Sequence, residues 1–370
     1  MNGHVSLFLC GDVMTGRGID QILPHPGDPQ LHEPSVDNAV EYVRLAERAN
    51  GPLPRPADFG YIWGDALKVL QREKPQATII NLETAITRSD THWQSKDVHY
   101  KMNPDNIPCL TAAGIDCCAL ANNHLLDWGI PGLLETVDTL DKAKIKHAGA
   151  GRNLREAQAP AILELAGDKR VIVFSLGSTS SGIPSEWSAQ ANRPGLYMIE
   201  TQPEDPVRLL ARKIREIKQT GDIVIVSIHW GSNWGYKIPS TEKRLARRLV
   251  EEAGVDVVHG HSSHHVKAIE VYQERLILYG CGDFFNDYEG IGGYERFHGD
   301  LGLMYFAEVN PATGKLQTLR MTPTQIRRFR LNQASAVDSQ WLEDLLNREG
   351  RRFNTAVQPS AENGFTLRWS

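Results

Sequence analysis

Five short apolar runs mark the chain, and each leads into a residue type that binds metals. Val5–Cys10 leads into Asp12, Ala77–Asn81 into Glu83, Cys117–Ala121 into Asn123 and His124, Ile223–Ile228 into His229, and Val255–His259 into His261 and His264. Runs of this length, mostly rich in Ile, Val, Leu or Ala and bounded by Gly or polar residues, read as buried strands. Stretches with helical spacing separate most of them, which predicts βαβ units and a largely parallel core. Ligands of such sheets sit beyond the carboxyl ends of the strands. A carboxylate pair, an Asn and three His converging on that edge predict a metal site, since five independent coincidences are hard to accept.

Between the runs the pattern varies. Residues 20–60 hold many Pro and Gly around a helix-like piece, Val36–Ala49, and read as an insertion lying lid-like over the first ligand loop. Pro131–Lys142, Val207–Gln219 and Thr241–Ala253 have helical spacing. Ala161–Leu165 and Arg170–Leu176 read as a hairpin around Gly167-Asp168. After His264 the pattern turns antiparallel, with hairpins across Gln273-Glu274 and Thr313-Gly314 that suggest a second sheet packed on the first. The tail predicts a helix, Asp338–Glu349, and a strand, Phe365–Trp369. One domain over 1–322 with an extension over 323–370 packed on it is expected.

Composition narrows the class. The chain has 370 residues, 41% hydrophobic and 23% charged, which is ordinary for a soluble globular protein. A formal charge of −5 argues against a general nucleic-acid binder. The basic run Lys243, Arg244, Arg247, Arg248 reads as the solvated face of an amphipathic helix. The five Cys include no CxxC pair, which fits reduced, mostly buried thiols. No leader and no apolar stretch of about 18–20 residues is visible, so a cytoplasmic protein without a membrane partner is expected.

Carboxylate, amide oxygen and imidazole together suit one or two divalent ions, Mn²⁺, Zn²⁺ or Fe²⁺, better than a thiolate site would. Gly11-Asp12, Asn81-Leu82-Glu83, Asn122-Asn123-His124, His229-Trp230-Gly231 and Gly260-His261-Ser262-Ser263-His264 follow one another in an order that resembles the calcineurin-like metallophosphoesterases. The resemblance is nearest to their CapA-like branch, named for poly-γ-glutamate synthesis. It implies a four-layer α/β/β/α sandwich. It also implies that Asp12 and His264 hold one ion, that Asn123, His229 and His261 hold another, and that Glu83 bridges them. His124 would act as an acid or electrostatic group. The chain departs from the phosphoesterase pattern at Met14, which stands where a His ligand is usual, so phosphatase activity should be weak or absent.

Around this set, Arg17 could aim at a substrate carboxylate. Trp230 and Trp234 could wall a pocket, and Asn286 sits in a loop near the same edge. His298 offers an imidazole suited to proton transfer. The CapA-like branch includes peptide epimerases, and the favoured expectation is a metal-dependent isomerase of that kind. Asp12 and His298 would remove and return a Cα proton of a peptide substrate. The alternatives are a phosphoester or amide hydrolase, or an accessory protein of poly-γ-glutamate or capsule synthesis.

Overall fold

A computed structural model describes residues 3–360 and 364–370. Its frame is two large sheets. In the first, Val5–Val13, Ala77–Leu82, Cys117–Ala119 and Lys146–Ala148 run parallel. Leu301–Val309, Leu316–Ile326, Gly364–Trp369 and Thr355–Ser360 continue it antiparallel from the other side of Val5–Val13. In the second, Lys169–Gly177, Ile223–His229, Val257–His261 and Arg275–Leu278 run parallel, with Ala161–Leu165 and Ile269–Tyr272 as antiparallel edges.

The five strands read from the sequence therefore do not share one edge. Three lie in the first sheet and two in the second. The late hairpins do not form the second sheet by themselves either: one edges it, while the other completes the first. A buried strand's composition records burial on both faces, not which neighbour it pairs with.

Alternation along the strands builds the layers. Leu7, Leu9, Val173 and Ile225 meet in the core between the sheets. Phe8, Cys10, Ile80 and Leu120 face outward to Val43, Leu70 and Val137, from the helices Val40–Asn50, Asp65–Glu73 and Gly129–Lys142. Phe174 and Val226 face outward to Leu210 and Leu249, from Pro206–Ile217 and Ser240–Glu251. Adjacent Cys117 and Cys118 fall on opposite faces accordingly. All five Cys are free and buried.

Two expectations about boundaries change. Residues 20–60 are packed in, with Ile22, Leu31 and Val43 belonging to the outer core. Position 322 falls inside the strand Leu316–Ile326, and the tail helix Ala336–Gly350 places Leu342, Leu345 and Leu346 between the sheets. No helix among the described residues is long and apolar enough to cross a membrane.

One irregularity aims Asp12. Leu9 pairs with Ile79, but Asp12 pairs with Asn81, so three steps on one strand oppose two on the other. This bulge turns the strand end and lets the Asp12 amide donate to Gly282 O at 2.9 Å. A Cβ on Gly11 would lie 1.7 Å from that same oxygen, so only glycine fits.

Candidate metal centre

The ends of the two sheets converge on a buried polar cluster. Ligand atoms of Asp12, His229 and His261 all lie within 4.8 Å of one another. Glu83 Oε1 stands 3.8 Å from His229 Nε2 and 3.7 Å from His124 Nε2. The first sheet supplies Asp12, Glu83 and His124, and the second supplies His229 and His261. One buried atom here, His229 Nε2, has no hydrogen-bond partner within the protein, and neither has Asn123 Oδ1, on the residue before His124. Such atoms are costly unless something satisfies them. A divalent ion among these oxygen and nitrogen donors would do so, and the donor set suits Mn²⁺, Zn²⁺ or Fe²⁺.

A hydrogen-bond relay orients the imidazoles. His259 Nε2 lies 2.6 Å from Cys10 O, which can only accept, so Nε2 carries the proton and Nδ1 is bare. Ser227 Oγ, at 3.1 Å, donates to that Nδ1 and accepts from His261 Nε2 at 2.9 Å. His261 Nδ1 is then bare, 3.9 Å from Asp12 Oδ1. At 2.8 Å it accepts from His229 Nδ1, which leaves His229 Nε2 bare as well. The relay starts at a first-sheet carbonyl and leaves one free lone pair in the cluster, on His229 Nε2, while the His261 Nδ1 pair is shared with His229 Nδ1–H and would have to exchange that contact for an ion.

Burial governs protonation here. It pushes the Asp12 and Glu83 carboxyls up; Asp283 adds to the effect on Asp12, and Asp12 to that on Glu83. Burial drives His229 and His261 well down, with neighbouring imidazoles adding to it. The imidazoles are thus neutral and ready to bind, and the protons that must leave belong to the carboxylates. Asn81 Nδ2 at 2.7 Å and the Ser262 amide at 3.1 Å hold the two Asp12 oxygens.

The resemblance places another ion between Asp12 and His264, and here both His264 nitrogens have protein partners. His264 Nδ1 sits 2.9 Å from Asp283 Oδ1, and its Nε2 lies 3.1 Å from Asn233 Nδ2. Asn286 Nδ2 holds the other Asp283 oxygen at 2.7 Å. Met14 is buried with its sulfur 3.7 Å from Tyr288 Oη. With both His264 nitrogens engaged and no ligand from Met14, the residues fit one ion.

His124 Nδ1 lies 2.6 Å from Asp127 Oδ2, which directs Nε2 toward Glu83. Lys96 Nζ contacts Asp127, His124 and Asn123 O. Burial, then the Lys96 charge, holds His124 well below the usual imidazole range, so its ring is neutral.

Three expected substrate contacts are otherwise engaged. Arg17 is buried, paired with Asp287 and Glu33 and sandwiched between the Tyr42 and Tyr100 rings at 3.9 and 4.4 Å. Its fork is already filled. Trp230 lies in the outer core of the second sheet and donates to Tyr279 O at 3.0 Å. The Asn286 amide orients Asp283. Arg17 and Asn286 nevertheless line a cavity of about 660 Å³ together with His264, His298 and Trp234, which is stacked on Tyr294 at 4.2 Å. The His298 ring packs 4.2 Å from that of Trp341.

Lys96, Ser227 and His259 escaped the sequence reading. Ser227 and His259 did leave a signal, as polar residues inside otherwise apolar strands. Lys96 left none, in a polar loop without periodicity.

The chain matches the family described as bacterial capsule synthesis protein PGA_cap over residues 6–288. It is 47% identical over 360 residues to a Mycobacterium tuberculosis protein described as a probable polyglutamine synthesis accessory protein, covering 97% of this chain and 94% of that one. It is 26% identical to the Bacillus subtilis PGA biosynthesis protein CapA, over 90% of this chain and 77% of that protein. With the Bacillus anthracis capsule biosynthesis protein CapA it shares 24% identity over 77% of this chain and 61% of that protein. On this match the chain belongs to the bacterial capsule synthesis PGA_cap family.

Proposed function

We propose that this chain is a divalent-metal-dependent protein of poly-amino-acid or capsule synthesis, whose single-ion centre works on an amide- or carboxylate-bearing chain. The observation that carries the reading is the buried, partnerless His229 Nε2 beside Asp12, Glu83 and His261. The descriptions of the relatives support the polymer context. The order of helices, sheet, sheet and helices supports the α/β/β/α metallophosphoesterase type for the fold.

Asp12, His229 and His261 would hold the ion, with Glu83 and Asn123 beside them. Bound there, a divalent ion polarises a coordinated oxygen. His124, fixed by Asp127 and Lys96, turns Nε2 toward Glu83 and would serve there as an electrostatic group. Trp234, Tyr288 and Tyr294 wall the cavity beside His264.

Elemental analysis tests this reading: about one equivalent of a divalent transition metal is expected, falling sharply in His229→Ala and His261→Ala. Parent-level metal in both variants would refute the ligand assignment. A second reading, Cα epimerisation of a peptide, draws on His298, which lines the same cavity as His264. Its signature is one deuterium gained at a Cα in D₂O, lost in His298→Ala. Full incorporation by that variant excludes it.

A further inference from the structure

The basic run on the Ser240–Glu251 helix is not a plain solvated face. Lys243, Arg244, Arg247 and Arg248 line a cleft of about 400 Å³ together with Arg352, and Glu251 is its one acidic wall residue. None of these residues lines the cavity at His264. The cleft lies on the helix layer outside the second sheet, on a chain of net charge −5. Five cations gathered against that overall sign call for a reason.

Three of them are partly neutralised. Arg247 pairs with Glu270, Arg248 with Asp205 and Glu252, and Arg352 with Glu349. Lys243 and Arg244 have no ion-pair partner among the described residues. Their positions, i and i+1 with Arg247 and Arg248 at i+4 and i+5, set two short rows of charge along one helix face. The paired arginines are held in place rather than consumed, since each fork keeps further donors.

We propose that this cleft binds an acidic polypeptide, one bearing carboxylates at regular intervals. Rows of guanidinium and ammonium groups complement repeated carboxylates by charge and by bidentate geometry. A nucleic acid fits less well because the cleft offers no bare ring for a base. Phe353 is only 8% exposed, and the Tyr272 ring lies under Arg247 at 4.8 Å. The site stands apart from the metal centre, so either assignment can fail without the other.

The test is fluorescence anisotropy with a labelled oligoglutamate on the full chain. Binding that weakens as salt rises is expected. The double variant Lys243→Gln/Arg244→Gln should bind about tenfold more weakly, with an unchanged melting curve and unchanged metal content. Chelating the metal should leave binding as it was. No binding by the parent at low salt, or equal binding by the double variant, overturns the proposal. So does tighter binding of a single-stranded RNA of matched charge. Loss of binding on chelation would place the polymer at the metal centre and overturn it equally.

Discussion

At the scale of single residues, the centre is defined by which groups carry protons. His229 and His261 are already neutral, so metal uptake must release protons from Asp12 and Glu83, whose carboxyls burial has pushed up. Metal affinity should therefore climb as pH rises from the ordinary carboxylate range toward neutrality, which metal-binding titrations across that range would check. The metal-free protein should behave oppositely. A carboxyl whose folded value is raised contributes stability below its unfolded value and loses it as pH rises through the folded one, so the melting temperature of the chelated protein should fall over the same interval. The relay gives a second expectation. Ser227→Ala removes the hydroxyl that fixes the His261 tautomer, and metal affinity should drop about 10–100-fold with the ligands untouched; competition with a chromophoric chelator measures it. The proposed ligands could be picked out in the sequence because each ends an apolar run. The fate of Arg17 was not, because Glu33 and Asp287 lie 16 and 270 positions away and no local pattern announces them.

At the scale of elements, the decisive feature is the bulged end of Val5–Val13 against Ala77–Leu82 and Gly282. Gly11→Ala puts a methyl where the Gly282 carbonyl lies, and the two backbones must part. Overpacking of this kind costs about 1–3 kcal/mol; here it also shifts Asp12. The variant should melt lower and hold less metal than the parent, by calorimetry and elemental analysis together. A sequence reader sees Gly11-Asp12 as a motif but not the bulge, since the extra residue shows only in the partner's register. The same blindness explains the single sheet edge expected above. The runs at Ile223 and Val255 look like those at Val5 and Ala77, because a strand covered on both faces carries no mark of its sheet.

For the whole molecule, the family match ends at residue 288 while the core does not. Leu345, Val357, Phe365 and Leu367 fill the space between the sheets, and Gly364–Trp369 pairs with Leu316–Ile326. A chain cut after residue 334 should lose its cooperative melting transition and become protease-sensitive, although every proposed ligand is retained; limited proteolysis beside the full chain would show it. That dependence was half legible: the tail helix and last strand could be read, their place in the core could not. The same arrangement governs how the chain is made. Val5–Val13 lies in the middle of the first sheet, and one of its neighbours there is Leu301–Val309, with Val5 opposite Val309. On a ribosome adding about 5–20 residues per second, the first strand waits roughly 15–60 s for that partner to emerge. Throughout that interval one edge of the strand offers open amides and carbonyls to any other nascent chain. Protection by a chaperone early in translation, more than stability of the finished fold, would then set how much of this protein a cell obtains.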